Sequence, residues 1–81
     1  PLRIKGTRLS ISLREDDRHD NLVWVSLRSV GTFNCQQVAE QFFNGGGHFN
    51  ASGGKLNCSI EEAEQITRQA IQHYADQLRN T

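Results

Sequence analysis

The 81-residue sequence has no excess of charge of either sign: nine Lys and Arg balance nine Asp and Glu. A generic nucleic-acid binder carries a basic surplus, so the balance argues against that class. A site that holds one small anion through a few placed groups is not. Cysteine is scarce, and Cys35 and Cys58 form no CxxC pair. Nothing here reads as a secreted disulfide framework, and both thiols are expected to be reduced and partly buried. No stretch approaches the about 18 consecutive apolar residues of a membrane helix, and no signal-peptide pattern is present. The expectation is a cytoplasmic protein with no membrane partner. Internal repeats and low-complexity segments are absent as well. The chain opens PLRIKG, without Met, which suggests a segment of a longer protein.

What is there suffices for one small domain spanning 1–81. Hydrophobic residues make up 36% and charged residues 22%, unlike a disordered tail. A folded chain of 9.1 kDa buries roughly 60–65% of its extended surface, one modest core. RLSISLRE (8–15) alternates strictly, with Leu9, Ile11 and Leu13 on one side and Ser10, Ser12 and Arg14 on the other, the period of a half-buried strand. LVWVSLRS (22–29) is a second strand, rich in β-branched and aromatic residues. The polar DDRHDN (16–21) between them closes an antiparallel hairpin. Val23, Val25 and Leu27 share one face; Trp24, Ser26 and Arg28 share the other. PLRIK (1–5) adds a possible strand, broken from the first at Gly6.

The period then changes. NCQQVAEQFFN (34–44) places Val38, Ala39, Phe42 and Phe43 at helical spacing, with Asn34 and Gln37 at capping-box positions and Asn44-Gly45 as the stop. GGKLN (53–57) is a short strand candidate. SIEEAEQITRQAIQHYADQLRN (59–80) reads as one long helix. Ser59 and Glu62 form its capping box, and its apolar stripe is Ile60, Ala63, Thr67, Ala70, Ile71, Tyr74 and Leu78. The predicted fold is α/β (α+β): a small mixed sheet with a β-hairpin, helices packed on one face, and a Gly-rich loop between helix and strand.

That loop carries the chemistry. FFNGGGHFNASGG (42–54) holds five of the seven glycines and one of the three histidines. Without Cβ atoms, consecutive backbone N–H groups can converge on an anion. A helix beginning near His48 would add its own free N–H groups. Two known glycine motifs fail: Lys55 is followed by Leu56, and Phe49 stands where a Walker A loop needs its first Gly; a dinucleotide fingerprint follows a strand, and this cluster follows a helix. A linker is polar on both sides, whereas Phe42, Phe43 and Phe49 bracket this segment. A tight structural turn is the competing reading.

GGGHFNASGG (45–54) resembles the GGGHxxAxG signature of the DHH-associated C-terminal domain of DHH-family phosphoesterases. VSLRS (25–29) followed by VAEQFFNGGGH (38–48) is similar to the layout of that domain in the oligoribonuclease and pAp-phosphatase class, pAp being 3′-phosphoadenosine 5′-phosphate. That class also includes cyclic-dinucleotide hydrolases and proteins described as exopolyphosphatase-related. The resemblance spans about residues 8–75. RecJ-type exonucleases and alanyl-tRNA synthetases carry related domains that look less like this one. The resemblance implies a division of labour. An N-terminal DHH domain binds two metal ions, usually manganese, and cleaves a phosphate ester with a metal-activated water. The C-terminal domain closes over the cleft and holds the nucleotide end of the substrate. Carried onto this sequence, the substrate-binding candidates are Arg28, Ser29, Gly45, Gly46, Gly47, His48, Asn50 and Ala51.

The sequence departs from the parent enzymes in having no Asp-His-His. No catalytic residue and no metal ligand is therefore assigned here, and the chain alone is expected to be inactive. The implied cofactor, Mn²⁺ or Mg²⁺, belongs to the catalytic domain of the parent. The expected partners are that domain and a nucleotide or short single-stranded oligonucleotide. Three alternatives stand beside this reading: the same domain of a pyrophosphatase or exopolyphosphatase, an RNA-binding module, or a purely structural docking domain. Arg28 against Glu40 or Asp20 would be an ordinary surface ion pair, Asn50 a helix cap and Ala51 a packing residue.

Overall fold

The computed structural model describes residues 2–5 and 8–80. Five strands form one sheet in the order β1-β2-β3-β5-β4: β1 Leu2–Lys5, β2 Leu9–Glu15, β3 Val23–Ser29, β4 Gly46–His48 and β5 Ala51–Leu56. Helix α1 spans Cys35–Phe42, α2 Ile60–His73 and α3 Ala75–Asn80. The α+β class, the β2–β3 hairpin and the one-sided helix layer are as the sequence indicates. The expected break at Gly6 lies outside the described residues.

Three details differ. Every pairing between neighbours is antiparallel, so the sheet is not mixed. β3 and β4 do run the same way, but β5 lies between them, a split βαβ arrangement. The Gly-rich segment is not a loop: β4 and β5 form a tight hairpin whose turn is residues 49–50. The long C-terminal helix stops at Tyr74 and resumes as α3. There the tyrosine ring stays in the core, edge-on to Phe33 and Phe42, and its hydroxyl bonds Gln41 of α1.

Alternation decides which face is buried. Leu9, Ile11 and Leu13 of β2, Val23, Val25 and Leu27 of β3, and Leu56 of β5 all point inward. α1 meets them with Cys35, Val38 and Ala39 and with Phe43 just past its end, and α2 with Ala63, Thr67 and Ala70 and with Tyr74 just past its end. Each large aliphatic or aromatic chain buried this way stabilises by about 1.5–3 kcal/mol. Thr67 is tolerated in the interior because its hydroxyl donates to the Ala63 carbonyl at 2.8 Å. Both helix starts are capped as their sequences require. Asn34 Oδ1 accepts from the Gln36 and Gln37 amides, and Ser59 Oγ accepts from the Glu62 amide. α1 ends where Asn44 takes a positive φ of 52° and the Gly45 amide donates back to the Ala39 carbonyl. Cys35 is buried, Cys58 half-buried, and both are free thiols. No helix among the described residues is long and apolar enough to cross a membrane.

The helices leave the other sheet face open. Trp24, Ser26 and Arg28 of β3 are exposed there, on the side opposite Val23, Val25 and Leu27.

Candidate functional site

Strand register lays the open face out in rows. Ser10, Arg28, Ala51 and His48 are successive cross-strand partners; so are Ser12, Ser26, Gly53 and Gly46; so are Arg14, Trp24 and Lys55. The middle row consists entirely of Ser and Gly. It is a low floor between a cationic row and a row holding two cations and an indole. A shallow depression of about 260 Å³ opens beside Arg28, lined by Ser26 and Arg28 of β3, Gly46 and Gly47 of β4 and residues 51–53 of β5. Among the described residues no carboxylate pairs with the Arg28 guanidinium, and neither Glu40 nor Asp20 fills the surface-pair role. The face thus presents a guanidinium, able to fork onto a carboxylate or phosphate, over a surface almost free of side chains.

The three glycines have three different settings. A Cβ at Gly45 would stand 1.9 Å from the Gly53 carbonyl oxygen and 2.6 Å from Gly54 Cα. The end of α1 lies against β5 too closely for any side chain. Gly47 has φ +145°, and its Cβ would meet the Ala51 carbonyl at 2.9 Å; only glycine sits there without strain. At Gly46 the nearest atoms to an added Cβ are Glu40 Cγ and Oε2, both at 3.8 Å, ordinary contact with a flexible chain. The fold itself requires Gly45 and Gly47 but not Gly46.

The predicted site residues separate accordingly. Arg28, Gly46, Gly47 and Ala51 come together around the depression. His48 ends β4 exposed, across Ala51 from Arg28, two strand spacings or about 10 Å away between Cα positions. No helix begins near it, which corrects the expectation of a helix N-terminus at this point. Ser29 follows Leu27 onto the core side and is 7% exposed. Its hydroxyl donates to the Phe33 carbonyl at 2.7 Å and accepts from Asn50 Nδ2 at 3.0 Å. Asn50 is no helix cap: its amide clips the hairpin turn to the segment after β3 through Ser29 and the Phe33 carbonyl. Gly45 is exposed but has the β5 backbone pressed against the side where a Cβ would stand. These three residues hold the hairpin in place and do not line the depression.

Two contacts that shape the hairpin gave no signal in the sequence. Gln36 Nε2, in the first turn of α1, donates to the Gly47 carbonyl at 2.9 Å, and Ser52 Oγ donates to the His48 carbonyl at 2.7 Å. Both are side chain–backbone bonds that form only once the β4–β5 hairpin is folded, the first with α1 packed against it. At the other end of the floor, Lys55 Nζ lies 5.6 Å from the Trp24 ring centroid. Trp24 Nε1 donates to Asp16 Oδ2 at 2.9 Å. That bond, with the Arg18 amide and His19 ring also directed at Asp16, holds the Asp16 carboxyl far below the usual carboxylate range. Among the described residues no three of His, Cys, Asp and Glu converge as metal ligands.

The DHHA1 domain family matches residues 2–77. The cyclic-di-AMP phosphodiesterase GdpP of Geobacillus thermodenitrificans is 41% identical over 58 residues, covering 70% of this chain and 9% of that protein. The crystal structure of an exopolyphosphatase-related protein from Bacteroides fragilis superposes with a TM-score of 0.83 at 46% identity, over 94% of this chain and 22% of that one. This chain therefore spans about a tenth and about a fifth of the lengths of these two relatives. A family match over nearly the whole sequence, together with a shared fold at this identity, places the chain in the DHHA1 domain family, the DHH-associated domain of DHH phosphoesterases.

Proposed function

We propose that this domain is the substrate-holding half of a metal-dependent DHH-family phosphodiesterase acting on short oligonucleotides, pAp or cyclic dinucleotides. The observation that carries the reading is the Arg28 guanidinium, unpaired among the described residues, beside a floor of Gly and Ser. A guanidinium donates two parallel N–H bonds to a phosphate. Gly46 lets the phosphate or sugar approach the backbone, and Ala51 keeps the space between Arg28 and His48 clear. His48 borders the nucleotide end. Ser29, Gly45 and Asn50 act as positioning residues by fixing the β4–β5 hairpin.

The size of the depression supports a half-site. Complete small-molecule pockets enclose about 300–1,000 Å³, and 260 Å³ on an open face grips only one end of a nucleotide. DHHA1 domains accompany an N-terminal DHH catalytic domain, which would supply the second wall. Among the described residues no group of His, Cys, Asp and Glu could hold a metal ion; in this reading Mn²⁺ or Mg²⁺ would be held by that partner domain. The contribution of this chain is positional: anchoring the non-scissile phosphate orders the scissile one in the neighbouring active site.

In the full-length parent, Arg28→Ala is expected to lower kcat/KM by about 10- to 150-fold, the loss of a charged hydrogen bond worth about 1.5–3 kcal/mol. Melting temperature should not move. Unchanged turnover in Arg28→Ala would refute the assignment. Competition by pyrophosphate as strong as by pAp would favour a polyphosphate substrate instead.

A further inference from the structure

The Arg28 depression accounts for one end of the open face only. At the other end stands Trp24, a large exposed aromatic at 38% exposure in the middle of a sheet. It is held in a fixed pose. Asp16 anchors its indole N–H from one side, and Lys55 lies over its ring. Arg14 is its cross-strand partner on β2. Arg14 and Lys55 line a second hollow with Trp24, Ser26 and Asn44. The two hollows meet at Ser26 and Gly53, which line both. One continuous trough therefore runs along β3 from Arg28 to Trp24.

The charge along this trough is one-sided. Arg14, Arg28 and Lys55 lie along it, in a chain whose nine basic and nine acidic residues cancel. Asp16 and Glu40 border it. Asp16 is engaged by Trp24 and His19, and Glu40 stands at the far edge by Gly46. An anchored π face flanked by cations, continuous with a guanidinium site, has the two elements of a single-strand platform: stacking and backbone attraction.

We infer that Trp24, with Arg14 and Lys55, forms a second nucleotide subsite that stacks a base of a single-stranded oligonucleotide whose end is held at Arg28. This rests on the nucleotide reading of Arg28 above and adds a length requirement to it. Trp24 and Arg28 are four residues apart on one strand, about 13–14 Å at 3.2–3.4 Å per residue. A duplex strand advances about 3.4 Å per nucleotide, so that distance equals about four stacked steps, and fewer in a drawn-out strand. A mononucleotide anchored at Arg28 leaves Trp24 uncovered, whereas a strand of two to four nucleotides reaches it.

Trp24 is the sole tryptophan of the sequence, so its emission reports this subsite alone. The 81-residue chain is titrated with adenosine 5′-monophosphate and with oligoadenylates of two, three and four residues. Tryptophan fluorescence reads the Trp24 end, and amide NMR shifts read the Arg28 end. The expected result is quenching that appears with the oligoadenylates and not with the monophosphate, while both shift the amides around Arg28 and Gly46. Trp24→Leu keeps an apolar side chain over the sheet but removes the π face. It should weaken tetranucleotide binding about 5- to 150-fold, the worth of one stacked base at about 1–3 kcal/mol, and leave monophosphate binding unchanged. An unchanged amide spectrum away from position 24 certifies that the variant is folded. Equal affinity for monophosphate and tetranucleotide, dependent on Arg28 but without any change in Trp24 emission, would overturn the subsite and leave the nucleotide function standing. Loss of Arg28-dependent shifts with every ligand would overturn both. If Trp24→Leu in the full-length parent depresses turnover equally for short and long substrates, the face packs on the catalytic domain, and the oligonucleotide subsite is wrong.

Discussion

Replacing the glycines of the triplet one at a time by alanine separates what the fold needs from what a ligand needs. At Gly45 the new Cβ would lie 1.9 Å from the Gly53 carbonyl oxygen, where non-bonded heavy atoms sit at about 3.5 Å. The end of α1 and strand β5 must then part by roughly 1.5 Å. Phe43, which is fully buried and whose carbonyl accepts the Lys55 amide at 2.9 Å, sits at that seam. Overpacking costs about 1–3 kcal/mol when side chains can shift. Here both clashing atoms belong to backbone, so the cost falls at about 3 kcal/mol or above. An 81-residue domain at about 0.05–0.15 kcal/mol per residue has only about 4–12 kcal/mol in all. At about 4–8 °C per kcal/mol, Gly45→Ala should melt at least about 12 °C lower. Gly46→Ala meets nothing nearer than 3.8 Å, and its effect on stability should stay within about 1 kcal/mol of zero, with reduced unfolded-state entropy tending to stabilise. If a phosphate approaches the Gly46 backbone, that same variant should lose ligand affinity. Urea unfolding followed by Trp24 fluorescence measures the first effect, and substrate KM in the parent the second. Equal destabilisation by the two variants would refute the steric argument. Normal KM in Gly46→Ala would remove Gly46 from the site.

Other outcomes follow from the same geometry. Gly47→Ala should fall between the two, at about 1–3 kcal/mol, because its φ of +145° strains any L side chain; equilibrium unfolding checks it. Ser29→Ala leaves the Asn50 amide short of an acceptor beneath the hairpin turn; it should cost about 1–3 kcal/mol, and the double variant with Asn50→Ala should cost less than the sum of the two. Asp16 has its pKa lowered by the Trp24, Arg18 and His19 bonds. The stability it contributes is therefore present above the ordinary Asp pKa of about 3.9 and is lost as pH falls below it. Asp16→Asn should flatten that acid limb, which urea midpoints between pH 2 and pH 6 would show; a limb identical to that of the unmodified chain would contradict the carboxylate's role.

Much of this was legible before folding. Period-two alternation in 8–15 and 22–29 gives both the hairpin and the identity of its open face, because Trp24, Ser26 and Arg28 must oppose Val23, Val25 and Leu27. The same parity carries Ser29 inward, a consequence that a motif-based site assignment overrides. Strand β4 was not legible: Gly-Gly-His offers no side-chain alternation, and its pairing is set by β5 and by Gln36 on α1. The interruption at Tyr74 was hidden because the apolar stripe continues through it to Leu78 without a Gly or Pro to mark the turn. Of the candidate site, residue types and approximate location came from sequence. The split between residues lining the depression and residues fixing the hairpin needed the backbone path, since Asn50 and Ala51 are adjacent yet turn to different tasks.

The decisive measurement is the amide NMR titration of the labelled 81-residue chain with pAp. Shifts concentrated at Arg28, Gly46, Gly47 and Ala51, and abolished by Arg28→Ala in a chain that keeps its spectrum elsewhere, are the result expected of a nucleotide half-site. Shifts centred on the helical side of the sheet, or none at millimolar pAp, would contradict it.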